Sequence, residues 1–185
     1  MTNPFVGKSL VAMPRLDDPW FSRSVVCMAI HDAGGSFGLV VNNRVHGLSE
    51  ADVLLSIGLP AQHKGAASPV FCGGPVREDG LFILHGPPFD WKSCLPITPY
   101  VGLSFSRDIV EAIAKDKGPQ HYKMMLGCAG WSPGQLEDEI CENIWLVHAV
   151  PADLLLSCPA ERCWDEVLLK MGIRPEFLAL DGGTA

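Results

Sequence analysis

Ser24-Val25-Val26-Cys27-Met28-Ala29-Ile30, His31-Asp32-Ala33-Gly34-Gly35-Ser36 and Phe37-Gly38-Leu39-Val40-Val41-Asn42 are three consecutive segments whose reading decides the fold. Two apolar runs rich in β-branched residues flank a polar segment with two glycines, the pattern of a β-hairpin with a longer loop. Both runs are apolar enough for central strands. Outward from the hairpin, runs of Val, Ile, Leu, Met and aromatics bounded by Gly or Pro predict further strands at 9–13, 70–72, 81–85, 123–129 and 144–149.

Helices are predicted where start and stop signals coincide. Ser49 precedes an acidic turn with Glu50 and Asp52, and Gly58 with Pro60 ends that helix. Ser106 precedes Ile109, Val110 and Ile113, and Gly118-Pro119 closes the segment. Ser132-Pro133-Gly134-Gln135 reads as a capping box with Ser132 as the cap. Trp164, Val167, Leu168 and Met171 define one apolar face of a last helix over 159–171. A hairpin first and helices later is not βαβ alternation. The expectation is an α+β fold, one compact domain over 1–185, with a mixed, largely antiparallel sheet flanked by about four helices.

Composition supports one packed core: 185 residues, 48% hydrophobic and only 19% charged. The start of the chain lacks the charged and apolar regions of a signal peptide. The longest apolar run, 25–30, falls far short of the ~20 residues a membrane span needs. Seven cysteines, odd in number and singly spaced, form no disulfide framework, so a reducing cytoplasm is the expected setting. A net charge of −7 with scattered Lys and Arg opposes binding to nucleic acid, and no membrane partner is expected.

Several segments invite a chemical reading. Gly130-Trp131-Ser132-Pro133-Gly134 matches the nucleophile-elbow pattern between a strand and a helix. Pro133, however, lacks the N–H that would serve an oxyanion, so Ser132 reads as a cap. Glu137, Asp138, Glu139 and Glu142 form an acidic helix start, favourable to the helix dipole without any ligand. The histidines, including His31 and His85, show no zinc spacing. Cys72 and Cys128 lie beside glycine turns without a local cation to lower their pKa, which suits buried structural thiols. No metal or cofactor is expected.

Four ordered segments resemble the AlgH/YqgE family of bacterial proteins. They are Leu10-Val11-Ala12-Met13-Pro14 with Asp18-Pro19-Trp20-Phe21-Ser22-Arg23-Ser24-Val25; His31 through Gly38-Leu39-Val40-Val41-Asn42; Gly73-Gly74-Pro75-Val76 with Leu84-His85; and Gly127-Cys128-Ala129-Gly130-Trp131-Ser132-Pro133-Gly134-Gln135-Leu136-Glu137 with Glu139 and Trp145. The resemblance implies a compact α/β fold with a mixed sheet, a bacterial cytosolic setting and the family's label of transcriptional regulator linked to exopolysaccharide control. It implies no established activity and no catalytic residues. Asn42, Gly73, Gly74, Pro75, His85, Gly130, Trp131, Gln135 and Glu137 are the motif positions and the candidates for a shared surface. Arg15 stands where the family usually has Gly, and Cys128 where it usually has an aromatic.

The leading expectation is a non-catalytic regulatory protein that binds a small molecule or a protein partner, since Gly, Pro, Trp and Gln suit shape better than proton transfer. The competing expectation is an enzyme of unknown class, for instance a hydrolase using His85 or the acidic helix of Glu137 to Glu142, which a pocket combining His31, His85 and Glu137 would favour. The cysteine reading has a direct check: thiol titration of freshly denatured protein without reductant is expected to find seven thiols, and two or more missing would overturn the cytoplasmic assignment.

Overall fold

In the computed structural model, which describes residues 4–178, the first half of the chain forms β1 (Ser9–Ala12), β2 (Val25–Asp32), β3 (Gly35–Val40), β4 (Arg44–Ser49), α1 (Glu50–Ser56), β5 (Pro69–Cys72) and β6 (Val76–His85). The second half forms β7 (Cys94–Pro96), β8 (Gly102–Ser104), α2 (Arg107–Ala114), β9 (Tyr122–Trp131), α3 (Gln135–Cys141), β10 (Trp145–His148), α4 (Ala152–Ser157) and α5 (Ala160–Lys170), followed by a 3-10 turn at Pro175–Phe177. Both ends of the 1–185 span lie outside the described residues.

The strands join in one mostly antiparallel sheet of order β10-β1-β2-β3-β9-β6-β8-β7, with β4 and β5 branching from it. The α+β class with a mixed, largely antiparallel sheet is what the sequence predicts, and the one parallel pairing described is β5 with β9. β9 is the hub. It runs against β6 on one edge, and on the other meets β5 at Met125 and Leu126, then β3 from Ala129 to Trp131. The change of partner falls at Gly127, where Gly73 and Gly74 cross: a Cβ on any of the three would collide with a carbonyl of the opposing strand. Gly73 donates its N–H to Leu126 O at 2.7 Å and accepts from Val40 N at 2.9 Å, so one residue links all three strands.

Alternation along each strand divides the apolar residues between the two faces. Val25, Cys27 and Ala29 of β2, Leu39 of β3, Leu84 of β6 and Met125 of β9 face a core covered by α4 and α5. On the opposite face, Leu10, Val26, Met28 and Ala129 pack with Leu136 of α3, while Ile83 and Met124 pack with α1 and α2. The continuous apolar run in β2 is thereby explained: it has helices on both sides.

Where the expected elements shift, local hydrogen bonds account for it. The hairpin loop tightens to Ala33-Gly34, because His31 pairs with Ser36 and Asp32 with Gly35 in the ladder, and the Asp32 carboxylate accepts Gly34 N at 2.7 Å. β6 starts at Val76 rather than 81, through a bulge between Val76 and Leu81. β4, β7, β8 and α4 carry no sequence signal: β7 and β8 span three residues each, and α4 starts behind Pro151 without a side-chain cap. The fifth helix beyond the expected four is this α4.

The capping expectations divide. Ser49 closes a full capping box, with Asp52 N donating to its Oγ at 3.3 Å and its own N–H donating to Asp52 Oδ2 at 2.9 Å. Ser132 is not the cap of α3. That place falls to Gly134 at φ +82, and only the Gln135 half of the predicted box forms, accepting Ser132 N at 3.0 Å. Ser106, at the cap of α2, spends its oxygen on Ser93 N. Urea unfolding of two variants checks this: Ser49→Ala is expected to lose about 0.5–2 kcal/mol, and Ser132→Ala to stay within about 0.5 kcal/mol of the parent.

A candidate functional site at the start of the central strand

Glu50, His63 and Tyr122 come from three segments and converge on one carboxylate oxygen. Glu50 opens α1, and the loop behind that helix returns to it, Ala51 N donating to Ala66 O and Glu50 N to Ser68 O, each at 3.0 Å. This return brings His63 inward, so that its Nε2–H donates to Glu50 Oε2 at 3.0 Å while the Tyr122 hydroxyl donates to the same oxygen at 2.7 Å. Gly65 passes over the group, and a Cβ there would stand 2.9 Å from the Tyr122 hydroxyl. The loop is pinned by Lys64 N donating to Asp116 Oδ1 at 2.9 Å.

Lys123, the next residue on β9, points to the opposite face. Its side chain is 4% exposed; Nζ donates to Val41 O at 2.7 Å and lies 4.6 Å from the Phe71 ring centroid. No carboxylate among the described residues lies within ion-pair distance of it. Burial lowers its pKa from 10.5 to about 8. Burial also raises the Glu50 carboxyl, against the two hydrogen bonds that stabilise its charge, and raises Tyr122 further.

These side chains wall a cleft of about 750 Å³ between the 63–69 loop, the turn before β9 and the α4–α5 junction. Lys64, His121, Ser157 and Cys158 complete its rim, together with Arg44, which is paired with Glu161 at 2.8 Å. At the carboxylate of the cleft, both donors occupy Glu50 Oε2 and Gly65 covers the group. The cleft is open to an anion at Lys123, whose Nζ, among the described residues, meets a carbonyl and a ring face and no carboxylate. Sequence reading missed the site. The legible signal was Lys123 itself, a lone charge in the apolar run Met124-Met125-Leu126.

None of the nine motif positions lines this cleft. Asn42 binds Val25 N and Arg23 O and fixes the β2 start. Gly73 and Gly74 form the strand crossing, and Pro75 leads into β6. His85 is 0% exposed, with Nδ1–H donating to Gly86 O at 2.6 Å and Nε2 accepting from Ser104 Oγ at 2.9 Å, and burial lowers its pKa. Trp131 and Trp145 both donate their indole N–H to Glu139 Oε2, at 2.8 and 2.7 Å, and Gln135 binds Glu139 Oε1. Glu137 meets His31 at 3.4 Å. His31 and Glu137 therefore converge and His85 does not: it pairs with Tyr122 at the start of β9, whereas His31 contacts Ser36, paired with Trp131 at the far end, about 30 Å of strand away. Gly130 is exposed on the face of β9 near Val76.

A curled, mostly antiparallel sheet crossed by glycines, with helices on both faces and a polar cleft at one end of its hub strand, defines an α+β protein of one particular architecture. No helix among the described residues is long and apolar enough to cross a membrane. The chain belongs to the AlgH-like family, whose model matches residues 9–176. A UPF0301 protein of Desulforapulum autotrophicum is 39% identical over 180 residues, covering 97% of this chain and 95% of that one. One of Vibrio cholerae is 36% identical over 190 residues, covering 100% and 99%. The solution structure of the AlgH protein from Pseudomonas aeruginosa superposes with a TM-score of 0.79 at 32% identity, over 100% of this chain and 99% of that one. A Corynebacterium diphtheriae protein at 21% identity and TM-score 0.72, over 91% and 88%, shares the fold.

Two substitutions test the energetics. Glu50→Ala strands the Tyr122 hydroxyl and His63 Nε2 without an acceptor and is expected to cost about 2–4 kcal/mol in urea unfolding, most of which Glu50→Gln recovers. For Lys123 the folded pKa is depressed, so the unfolded chain binds the extra proton between about pH 8 and 10.5, and its contribution to stability rises with pH in that window. Lys123→Met is expected to lack that rise, which amounts to roughly 1–2 kcal/mol between pH 8 and about 9.5.

Proposed function

We propose that this protein is a non-catalytic regulatory protein of the bacterial cytoplasm, its whole span acting as one domain, that binds a small organic anion in the cleft beside Lys123. The observation that carries the reading is a buried ammonium on the cleft wall with no carboxylate counter-ion among the described residues. An isolated buried charge is costly, and an incoming carboxylate or phosphate relieves that cost while the remaining N–H donors of Lys123 take up its oxygens. Lys64 and His121 add donors at the rim.

Binding rather than turnover is supported by the hydrogen bonds that already engage the carboxylates and the imidazole named as candidates for proton transfer. Glu50 Oε2 accepts from two donors, His85 has both ring nitrogens occupied, and Glu139 holds two indoles. The motif positions act, on this reading, as the frame that holds the sheet crossing and the aromatic cluster in place, and their shared surface is confined to Gly130 and the neighbourhood of Glu137.

Thermal unfolding in the presence of inorganic phosphate or succinate tests the proposal. At about ten times Kd the wild type is expected to gain roughly 3–5 °C, and Lys123→Met to gain nothing from the same anion. Equal stabilisation of both proteins, or none of the wild type at tens of millimolar of either probe, would overturn it.

A further inference from the structure

At the opposite end of β9, the inner face of the sheet opens to the surface. Phe37, Phe82, Leu95, Leu103 and Cys128 form an apolar floor to a cavity of about 350 Å³. Its rim leaves large apolar side chains in water, with Ile30 40%, Val76 44% and Phe105 58% exposed. These residues come from β2, β3, β6, β7, β8 and β9 or the residue directly after β8, so the cavity is the uncovered continuation of the core that α4 and α5 close elsewhere. A concave apolar site of this size at the mouth of a curled sheet is suited to a small ligand.

Two features say what kind. The first is Gly130, on the cavity wall. Gly73, Gly74 and Gly127 are required by backbone collisions, but a Cβ at Gly130 would meet only Val76 Cγ2 at 3.7 Å and Ser36 O at 4.0 Å, and its φ lies outside the left-handed region. Packing therefore does not demand a glycine there. What the missing side chain preserves is the open volume of the cavity.

The second is Arg77. The bulge in β6 sets the residues between Val76 and Leu81 against the single residue between Leu126 and Cys128, and turns Arg77 to φ +49 on the cavity wall. Arg23, Arg44, Arg107 and Arg162 each hold a carboxylate, whereas none among the described residues lies within ion-pair distance of Arg77. Its charge reaches Cys128 on the floor, whose thiol pKa burial raises and Arg77 partly restrains. An apolar floor with one unpaired guanidinium beside it matches an amphiphile with one anionic head.

We propose that this mouth binds a small amphipathic carboxylate, its hydrocarbon chain or ring lying against Gly130, Phe37 and Phe82 and its carboxylate paired with Arg77. The site is separate from the polar cleft and does not depend on the reading given there. A carboxylate suits it because the guanidinium fork donates to two oxygens at once.

Titration calorimetry of the full chain with decanoate and with decanol separates the contributions. Wild type is expected to bind both, decanoate the tighter. Arg77→Gln is expected to weaken decanoate about tenfold and leave decanol unchanged, as loss of one charge-assisted pair dictates. Gly130→Leu fills the cavity without backbone strain and is expected to abolish both, with circular dichroism and Tm showing the fold intact. Decanoate binding equally well to wild type and Gly130→Leu would overturn the site, and an unchanged decanoate-to-decanol ratio in Arg77→Gln would overturn the carboxylate. Sedimentation equilibrium supplies the remaining check: a concentration-dependent dimer lost in Gly130→Leu would mean that a second copy covers the mouth, and a monomer throughout supports the ligand.

Discussion

The contact on which the sheet depends is the crossing of two backbones without side chains between them. Gly73-Gly74 and Gly127 approach so closely that a Cβ on any one would strike a carbonyl of the other strand. Only there can β9 exchange β5 for β3 along one edge while keeping β6 along the other. The exchange lets a parallel strand enter an otherwise antiparallel sheet, and the hydrogen bonds of Gly73 to both Leu126 and Val40 pair its own N–H and C=O at the join. Without it, β9 would have a single partner on that edge and the sheet could not divide its outer face between the α3 and the α1–α2 cores.

Both functional regions follow from that hub. At the start of β9, the departure of β5 toward α1 opens the cleft that Tyr122 and Lys123 wall. At its far end, the bulge in β6 and the bare face of Gly130 leave the apolar mouth. Each end of the strand is held by one ladder partner, β6 at Tyr122 and Lys123 and β3 at Gly130, and its doubly paired middle ties the two ends together.

The polar groups within the fold divide by how completely they are satisfied. Glu139, with two indole donors and Gln135, and His85, between Gly86 and Ser104, are closed networks that specify packing. Lys123 is of the other kind, a buried cation held by a carbonyl and a ring face alone. A protein that retains such a charge accepts a stability cost, and the cleft beside it supplies a reason for keeping it.

Much of the frame was determined by the sequence alone. The hairpin around Gly34-Gly35, the apolar strands, the cap at Ser49 and the α+β order all arise from contacts within a few residues, which local periodicity and turn chemistry encode. Tertiary structure decided what local pattern cannot carry. Ser132 is equally a good cap on paper, yet Gly134 took the position once Trp131 was anchored to Glu139. Gly130 reads like its glycine neighbours until the crossing strands show that Gly127 has no room and Gly130 has. His63 and Glu50, 13 residues apart, meet because the loop behind α1 folds back on it, and Tyr122, 72 residues from Glu50, reaches them from the start of β9. Burial of Lys123, and with it the cleft, is set by the neighbours that β5, β9 and α4 bring from distant parts of the chain, and no window along the sequence contains them.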